Sequence, residues 1–195
     1  ITIKELLEVS SSSYHTLNAL VKKGIFTIEE KAISRIEVYD NEDLISFDLS
    51  DEQQNALNQI HKSFESKDVT LLHGVTSSGK TEIFIKLIQD VISRGKQVLY
   101  LLPEIALTTQ IINRLRKYFG DKVGVYHSKF NNNERGEIWS EVLNGNRFPI
   151  ILGTRSSIFL PYQNLGLIVV DEEHESSFKQ KQSLPRYNAR DTAIM

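Results

Sequence analysis

One loop constrains the fold of this 195-residue chain more than any other stretch: LLHGVTSSGKTEIF, residues 71–84. From Gly74 to Thr81 it has the spacing G-x-x-x-x-G-K-T, between an apolar run at 69–72 and a segment with helical spacing. Backbone N–H groups of such a loop and of the helix N-terminus point at an anion, and the helix dipole favours negative charge there. The pattern predicts a phosphate-binding loop between a strand and a helix.

The chemistry of a nucleoside triphosphate assigns a role to two side chains of this loop. Lys80 is expected to reach the outer phosphates, and the Thr81 hydroxyl is expected to bind Mg²⁺. The residues predicted to surround the ATP phosphates are Gly74, Val75, Thr76, Ser77, Ser78, Gly79, Lys80 and Thr81. An ordinary Gly/Ser turn with a capping threonine is the alternative, which the strand–loop–helix context disfavours.

Two carboxylates follow another apolar run, LIVV at 167–170. Phosphoryl transfer requires one group that holds Mg²⁺ and another that orients the attacking water. Asp171 is predicted to hold Mg²⁺ through water, as the partner of Thr81, and Glu172 is predicted to orient and deprotonate the attacking water. An acidic cluster after a strand is by itself usually solvated surface, but together with the glycine loop it predicts a site of hydrolysis.

The apolar pattern predicts an α/β fold for the larger part of the chain. Short apolar runs typical of strands lie at 69–72, 98–102, 123–126, 150–152 and 167–170. Helical spacing lies at 52–64, 81–93, 106–119 and 134–143. Because strands alternate with helices, we expect βαβ units and a mostly parallel sheet flanked by helices.

The first residues predict a separate small domain, 1–46, ahead of the α/β unit at 47–195. Serine hydroxyls at 10–13 are candidate N-caps for a helix that ends at Gly24, and residues 25–38 have the composition of one or two short strands. Two small helices followed by a hairpin are typical of a winged-helix domain.

This small domain is acidic, since residues 1–48 contain five Lys or Arg and nine Asp or Glu residues. Phosphate neutralisation dominates DNA affinity, so a positioning or protein-interaction role is favoured over strong DNA binding. Lys22 and Lys23, at the end of the second helix, remain candidate contacts to a duplex.

Composition narrows the class of protein. Cysteine is absent, which excludes disulfides and thiolate metal sites and is typical of a cytoplasmic protein. No apolar run approaches the roughly 18–20 residues that span a bilayer, so no membrane association is expected. The net charge of −2 gives no sign of nucleic-acid binding by the chain as a whole, and a chain whose only methionine is its last residue is expected to be an excised fragment.

Several stretches resemble one family of motor proteins. DEEH (171–174) resembles the Walker B box of superfamily-two helicases. Further stretches resemble, in the same order, the bacterial replication-restart helicases of that superfamily: GVTSSGKTE (74–82), LLPEIALTTQ (101–110), HSKFNNNER (127–135), GTRSSIF (153–159), VVDEEHESSFKQ (169–180) and RYNARD (186–191). The resemblance implies a RecA-like P-loop lobe, the first motor lobe of an ATP-dependent 3′→5′ DNA helicase that acts at stalled forks, truncated before the second lobe.

The resemblance also implies cofactors and partners. The cofactors are ATP and Mg²⁺, with zinc expected on cysteines of the missing second lobe and not in this chain. The partners are single-stranded and forked DNA, primosome proteins and single-strand binding protein. Because the arginine expected from the second lobe is missing, this piece is expected to be nearly inactive alone.

Two motor residues are carried over from the family. Gln53 lies where these motors have a glutamine that reads adenine, although Gln54 competes and an exposed helix position is an equal alternative. His174 is implied to relay between the nucleotide site and DNA, whereas chemistry alone favours a hydrogen-bonded surface histidine.

Two loops after strands are candidate DNA contacts. The resemblance implies contact with the single-strand backbone at Pro103, Glu104, Thr108 and Gln110, where helix capping is the alternative. Gly153, Thr154 and Arg155 follow another strand, where loops gather around ligands. The Arg155 side chain is suited to grip phosphates without reading bases, and a surface loop is the alternative.

The last stretch interleaves aromatic rings with cations, a mixture that suits single-strand binding by base stacking and phosphate contact. Its candidate residues are Phe178, Lys179, Arg186, Tyr187 and Arg190. The resemblance implies an aromatic-rich loop that senses DNA; a solvated loop is the alternative. Leu184 and Pro185 stand where the family often has another aromatic residue, and Ser77 replaces a usual glycine.

Two rival functions remain. Another superfamily-two DNA translocase is disfavoured by DEEH together with RYNARD. A non-motor nucleotide-dependent scaffold is disfavoured by the carboxylate pair Asp171 and Glu172.

Overall fold

A computed structural model of the chain describes residues 3–28, 45–75, 78–128, 130–145, 147–182 and 184–195. The chain separates into two compact units, Ile1–Arg35 and Ile36–Met195. Among the described residues, no helix is both long and apolar enough to cross a membrane.

The first unit contains two short helices, α1 (Ile3–Ser10) and α2 (Tyr14–Lys22). The Ser13 hydroxyl caps α2 by accepting from the Thr16 N–H at 3.3 Å. After α2, Gly24 has a φ of +70°, a left-handed conformation that glycine adopts without a steric penalty. The predicted serine cap and glycine stop are therefore confirmed.

The hairpin of the predicted winged helix is not seen in the described part of this unit. Residues 25–28 are not in a strand, and 29–38 lie outside the described residues. The winged helix and the predicted boundary at 46 therefore stay predictions.

The second unit is built on a four-stranded sheet. Its strands are β1 (Gln97–Leu101), β2 (Val123–Tyr126), β3 (Ile150–Gly153) and β4 (Leu165–Val170). Their order is β2-β3-β1-β4, and every neighbouring pair is parallel. The strands β1, β2 and β3 are buried throughout, as expected when both faces of a parallel sheet are covered. The predicted parallel sheet is confirmed.

Within the described residues, five helices accompany this sheet. They are α3 (Asp51–Phe64), α4 (Lys80–Ser93), α5 (Thr109–Phe119), α6 (Asn132–Asn144) and α7 (Ala189–Ile194). Short 3₁₀ segments lie at Gly120–Lys122, Arg155–Phe159 and Ser176–Phe178.

The core has two layers, one on each face of the sheet. Val98 and Tyr100 of β1 pack with apolar residues of α4 and α5. Their neighbours Leu99 and Leu101 pack on the opposite face with residues of α6. This division follows from the alternation of side chains along a strand.

The predicted strand at 69–72 is wrong. Residues 69–75 are not in a strand, and Leu71 is 74% exposed, whereas Leu72 packs against the cluster that contains Leu57 and Ile60 of α3. A strand requires a hydrogen-bonded neighbour. Within the part of the chain that the structure describes, β4 pairs only with β1, so the apolar run has no ladder to join.

The helix predicted from Ala106 begins three residues later. The N–H groups of Ala106 and Leu107 both donate to the Pro103 carbonyl, which forms a turn. Thr108 then takes the extended N-cap conformation of α5.

Candidate active site

The end of the Lys80 side chain contacts the beginning of the glycine loop. The Lys80 ammonium donates to the Gly74 carbonyl at 2.8 Å and to the Val75 carbonyl at 3.3 Å. Lys80 and Thr81 are the first two residues of α4, so both side chains start where the helix N–H groups are free. This arrangement is a helix N-terminus suited to an anion.

An added side chain would be crowded at Gly74 and strained at Gly79. A Cβ at Gly74 would lie 2.7 Å from the Ser78 hydroxyl oxygen, which is closer than real Cβ contacts. Gly79 is the N-cap of α4 with a φ of +78°, a left-handed conformation that is unfavourable for residues with a Cβ. The predicted phosphate contacts Thr76 and Ser77 lie outside the described residues.

The structure brings Gln53, rather than Gln54, to the glycine loop. The Gln53 amide nitrogen donates to the Gly79 carbonyl at 3.4 Å. Its amide oxygen accepts from the Ser50 N–H at 2.9 Å, which completes a capping box at the start of α3. Gln54 instead donates to Asn58 along an exposed helix face. The position of Gln53 is compatible with the predicted adenine contact, which stays a prediction.

Asp171 is held by donors to both of its carboxylate oxygens. Oδ2 accepts from the Tyr100 hydroxyl at 3.0 Å, and Oδ1 accepts from the Glu172 N–H at 3.1 Å. The Asp171 N–H donates to the Leu101 carbonyl of β1 at 3.0 Å. Burial, followed by the charge and hydrogen bond of Asp171, holds the pKa of Tyr100 well above its ordinary value. The phenol therefore stays a proton donor.

The turn after Asp171 has a strained backbone. Glu172 has a φ of +51°, and residues other than glycine in this region cost on the order of 1–3 kcal/mol. Its side chain is exposed, and a carboxylate oxygen lies 3.8 Å from His174 Nε2. Strain of this kind concentrates at functional sites, which agrees with the predicted role of Glu172.

Residues of α4 and α5 surround the side chain of Tyr100. Glu82 of α4 forms an ion pair with Arg114 of α5, and the Arg114 charge acts on the Tyr100 phenol. The ring of Phe84, also on α4, packs edge-on against the Tyr100 ring with centroids 5.9 Å apart. These contacts join the helix that carries Lys80 to the tyrosine that donates to Asp171.

Sequence reasoning did not identify three residues of this neighbourhood: Tyr100, Glu82 and Arg114. A tyrosine within the apolar run VLYLL is one available signal, because a buried phenol needs a hydrogen-bond partner.

The residues present fit Mg²⁺. Thr81 supplies a hydroxyl and Asp171 a carboxylate, and Mg²⁺ binds oxygen ligands while retaining waters and substrate phosphates. The described residues contain no group of three or more His, Asp or Glu that could hold a metal by itself.

The predicted DNA contacts in the loop after β1 differ in their exposure to solvent. Pro103 is buried, whereas Glu104, Thr108 and Gln110 are exposed. Glu104 lines a cavity of about 100 Å³, whose other lining residues are Leu107, His127, Ser128 and Thr154. The structure therefore brings two of the candidate loops to one cavity.

The GTR loop after β3 is shaped by close packing. A Cβ at Gly153 would collide with the Ser157 side chain and would lie 3.2 Å from the Tyr126 carbonyl. Thr154 is buried. Arg155 Nη1 donates to the carbonyls of Ser177 and Lys179 at 3.0 and 3.1 Å. In this structure Arg155 binds the segment after the acidic turn, a contact that the predicted phosphate grip did not include.

The predicted stacking role of Phe178 does not fit the structure. Its ring is 1% exposed within the core, so neither face is open to a base. Instead Phe159, which is 60% exposed, packs edge-on against the partly exposed Tyr187 with centroids 4.8 Å apart. The sequence pattern did not single out Phe159.

The cations of this segment have different surroundings. Lys179 and Arg186 are exposed. Arg190 donates to Glu173 at 2.8 Å and to Asp191 at 2.9 Å, and these bonds raise its pKa. Arg190 therefore ties the acidic turn to α7.

Comparison with known proteins identifies the family. Residues 50–191 match the family model of the DEAD/DEAH box helicases. The chain is also similar to proteins called replication restart protein PriA: 39% identity over 97% of this chain in Bacillus subtilis, 43% over 100% in Chlamydia trachomatis and 43% over 99% in Rickettsia felis. It covers 24%, 26% and 29% of those relatives, so it spans about a quarter of their length.

A solved structure shows the same fold. The ATP-dependent Type ISP restriction-modification enzyme LlaBIII bound to DNA is 18% identical, with a TM-score of 0.51 over 75% of this chain and 11% of that chain. The family match covers most of the chain, including the glycine loop and the acidic turn, and it confirms the expectation of a helicase fold. This chain belongs to the DEAD/DEAH box helicases.

Proposed function

We propose that this chain is the first, ATP-binding motor lobe of a 3′→5′ DNA helicase that acts in replication restart. One observation carries the proposal: α4 starts with Lys80 at the glycine loop and packs Phe84 on Tyr100, whose hydroxyl binds Asp171. One group of contacts thus connects the cation proposed to bind phosphate, Lys80, with the carboxylate of Asp171. The similarity to PriA proteins supports the cellular role.

In the proposed site, each residue has one task. Lys80 and the loop N–H groups contact the phosphates, and Gln53 contacts adenine. Thr81 and Asp171 hold Mg²⁺, which neutralises charge on the phosphates. Glu172, on its strained and exposed turn, orients the attacking water and accepts its proton. His174, near the Glu172 carboxylate, relays between this site and DNA.

We propose that single-stranded and forked DNA lies along the loops after β1 and β3 and the segment after the acidic turn. Exposed candidates for contact are Glu104, Thr108, Gln110, Lys179 and Arg186, and Tyr187 is a partly exposed candidate. Pro103, Gly153, Thr154 and Arg155 shape these loops, and Phe159 takes the stacking role first assigned to Phe178. Residues 1–46 act as a winged helix that positions the motor.

The whole protein, of which this chain corresponds to about a quarter by comparison with its relatives, is proposed to work in the cytoplasm with primosome proteins and single-strand binding protein. The arginine that stabilises the transferred phosphoryl group is expected from a second lobe. This chain alone is therefore expected to bind Mg·ATP weakly and to hydrolyse it barely.

The test is a titration with fluorescent ADP and ATP in the presence of Mg²⁺. Lys80→Ala is expected to weaken nucleotide binding by at least about tenfold, because a charge-assisted contact to phosphate contributes roughly 1.5–3 kcal/mol. Lys86→Ala is the matched control: it lies on the same helix, and its ammonium is 4.6 Å from the Phe47 ring centroid. Equal affinity in all three proteins would refute the proposed nucleotide site.

A further inference from the structure

Tyr100 brings a hydroxyl to Asp171 from the middle of the core. It lies on the central strand β1 and is 0% exposed. Phe84 packs on the edge of its ring, and its hydroxyl donates to Asp171 Oδ2 at 3.0 Å. The ring has no freedom to carry the hydroxyl elsewhere without disturbing this packing.

The choice of partner separates Tyr100 from an ordinary buried tyrosine. Tyr162 shows the ordinary case, because its hydroxyl donates to the backbone carbonyl of Ser157 at 3.1 Å. Tyr100 donates instead to a carboxylate, which the Glu172 N–H also binds at 3.1 Å. Any acceptor would satisfy a buried hydroxyl, but the Tyr100 hydroxyl donates to the carboxylate at the end of the neighbouring strand.

The two bonds orient the Asp171 side chain. An ionised carboxylate has about four lone-pair directions, and one on each oxygen is occupied. The backbone is also fixed, since the Asp171 N–H donates to the Leu101 carbonyl beside Tyr100 at 3.0 Å. The carboxylate plane is therefore set by the Tyr100 hydroxyl and the Glu172 N–H together, and the remaining lone pairs have defined directions.

We propose that Tyr100 is a positioning residue for Asp171, which holds the carboxylate in the orientation that binds Mg²⁺ or its water. This inference rests on the proposed nucleotide site. Partners that orient a metal ligand typically change metal affinity or activity by about 10–100-fold when they are removed. Tyr100 is not expected to touch the nucleotide.

The test is the effect of Mg²⁺ on ADP affinity, measured as the ratio of the Kd in EDTA to the Kd in Mg²⁺. Tyr100→Phe keeps the ring and removes only the hydroxyl. It is expected to reduce this ratio about tenfold while leaving the Kd in EDTA within about twofold of the wild type. Tyr162→Phe is the matched control, which removes a hydroxyl hydrogen bond of similar length and is expected to leave the ratio unchanged.

A second measurement separates positioning from a general effect on stability. If Tyr100 acts through Asp171, Tyr100→Phe will change the ratio in the wild-type background and not in an Asp171→Ala background. The same change in both backgrounds overturns the proposal. So does a Tyr100→Phe variant that fails to fold while Tyr162→Phe folds, because the hydroxyl would then serve stability.

The remaining outcomes distinguish this inference from the proposed function. A wild-type ratio well above one that Tyr100→Phe retains refutes the positioning role and leaves the nucleotide site intact. A wild-type chain that binds no ADP, or binds it without any effect of Mg²⁺, refutes the proposed site, and the role of Tyr100 is refuted with it.

Discussion

The described residues of the glycine loop, 73–75 and 78–79, make mainly local contacts, whereas the acidic turn and the residues after it, 171–180, are held by side chains from distant parts of the chain. In the glycine loop the Lys80 ammonium binds carbonyls five and six residues earlier. Gly79 supplies the left-handed conformation that starts α4. The exception is Gln53 of α3, whose side-chain amide donates to the Gly79 carbonyl.

The acidic turn depends on three distant side chains. Tyr100 of β1 holds Asp171, Arg155 holds the carbonyls of Ser177 and Lys179, and Arg190 of α7 holds Glu173. Substitutions far from the acids are therefore expected to alter them, while the glycine loop is expected to respond chiefly to changes within itself.

The largest expected effect tests whether the segment after the acidic turn is core or surface. Phe178→Ala is expected to destabilise the chain by about 3–5 kcal/mol, because it removes a fully buried ring. Phe159→Ala removes a ring that is 60% exposed and is expected to change stability by no more than about 1 kcal/mol. Urea unfolding measures both. Similar losses would show that this segment is not anchored through Phe178.

Next in size is the loss of the Arg155 contacts. Arg155→Ala is expected to destabilise the chain by about 2–3 kcal/mol, because bonds from a charged donor to two carbonyls are lost. Limited proteolysis near Ser177 is expected to become faster. The exposed Lys181→Ala is the control and should change neither quantity. An unchanged cleavage rate in Arg155→Ala would contradict a role of Arg155 in ordering this segment.

A smaller effect is expected in the glycine loop. Gly79→Ala places a Cβ at a φ of +78° against the Gln53 side chain, whereas Gly95→Ala has a similar φ of +70° and no atom within 4 Å. In both variants the free energy of unfolding is expected to fall by about 1–2 kcal/mol, because alanine is strained in the left-handed conformation. Only Gly79→Ala is expected to be destabilised further and to bind nucleotide more weakly. Equal stability and equal affinity would show that Gln53 does not crowd Gly79.

The smallest expected effect is a decrease in the free energy of unfolding as the pH rises above about 10. Burial raises the pKa of Tyr162, with a smaller contribution from Tyr126, so the folded state keeps a proton that the unfolded state loses above about pH 10. The unfolded state then binds fewer protons, and stability falls as pH rises, by up to about 1.4 kcal/mol per pH unit. Urea unfolding between pH 9 and 11 should give a flatter dependence for Tyr162→Phe. Parallel curves would contradict a raised pKa.

Much of the fold was predictable because its signals are local. The alternation of apolar runs and helical spacing predicted the parallel sheet and the approximate bounds of α3, α4 and α6. The strand at 69–72 was predicted wrongly, because an apolar run does not show whether a neighbouring strand is available to pair with it. The start of α5 was displaced because two N–H groups bind the Pro103 carbonyl.

In the candidate site, too, some residues were identified from local signals and others were not. Lys80 and Asp171 were identified from motifs that have a chemical requirement at fixed spacing. Phe178 was assigned to the surface because interleaved aromatic and basic residues do not show which ring is buried. Arg155 was expected to face phosphates, whereas the structure gives it two carbonyl partners more than twenty residues later in the chain.

The sequence by itself predicted a phosphate-binding loop, a pair of carboxylates after the strand β4 and a parallel α/β sheet, since each prediction follows from spacing along the chain. Only the tertiary structure decided that Tyr100 orients Asp171, that Arg114 pairs with Glu82 and that Phe159 lies exposed beside Tyr187. The physical reason is that a hydrogen bond or ring contact depends on where two distant segments meet, and spacing within one segment does not contain that information.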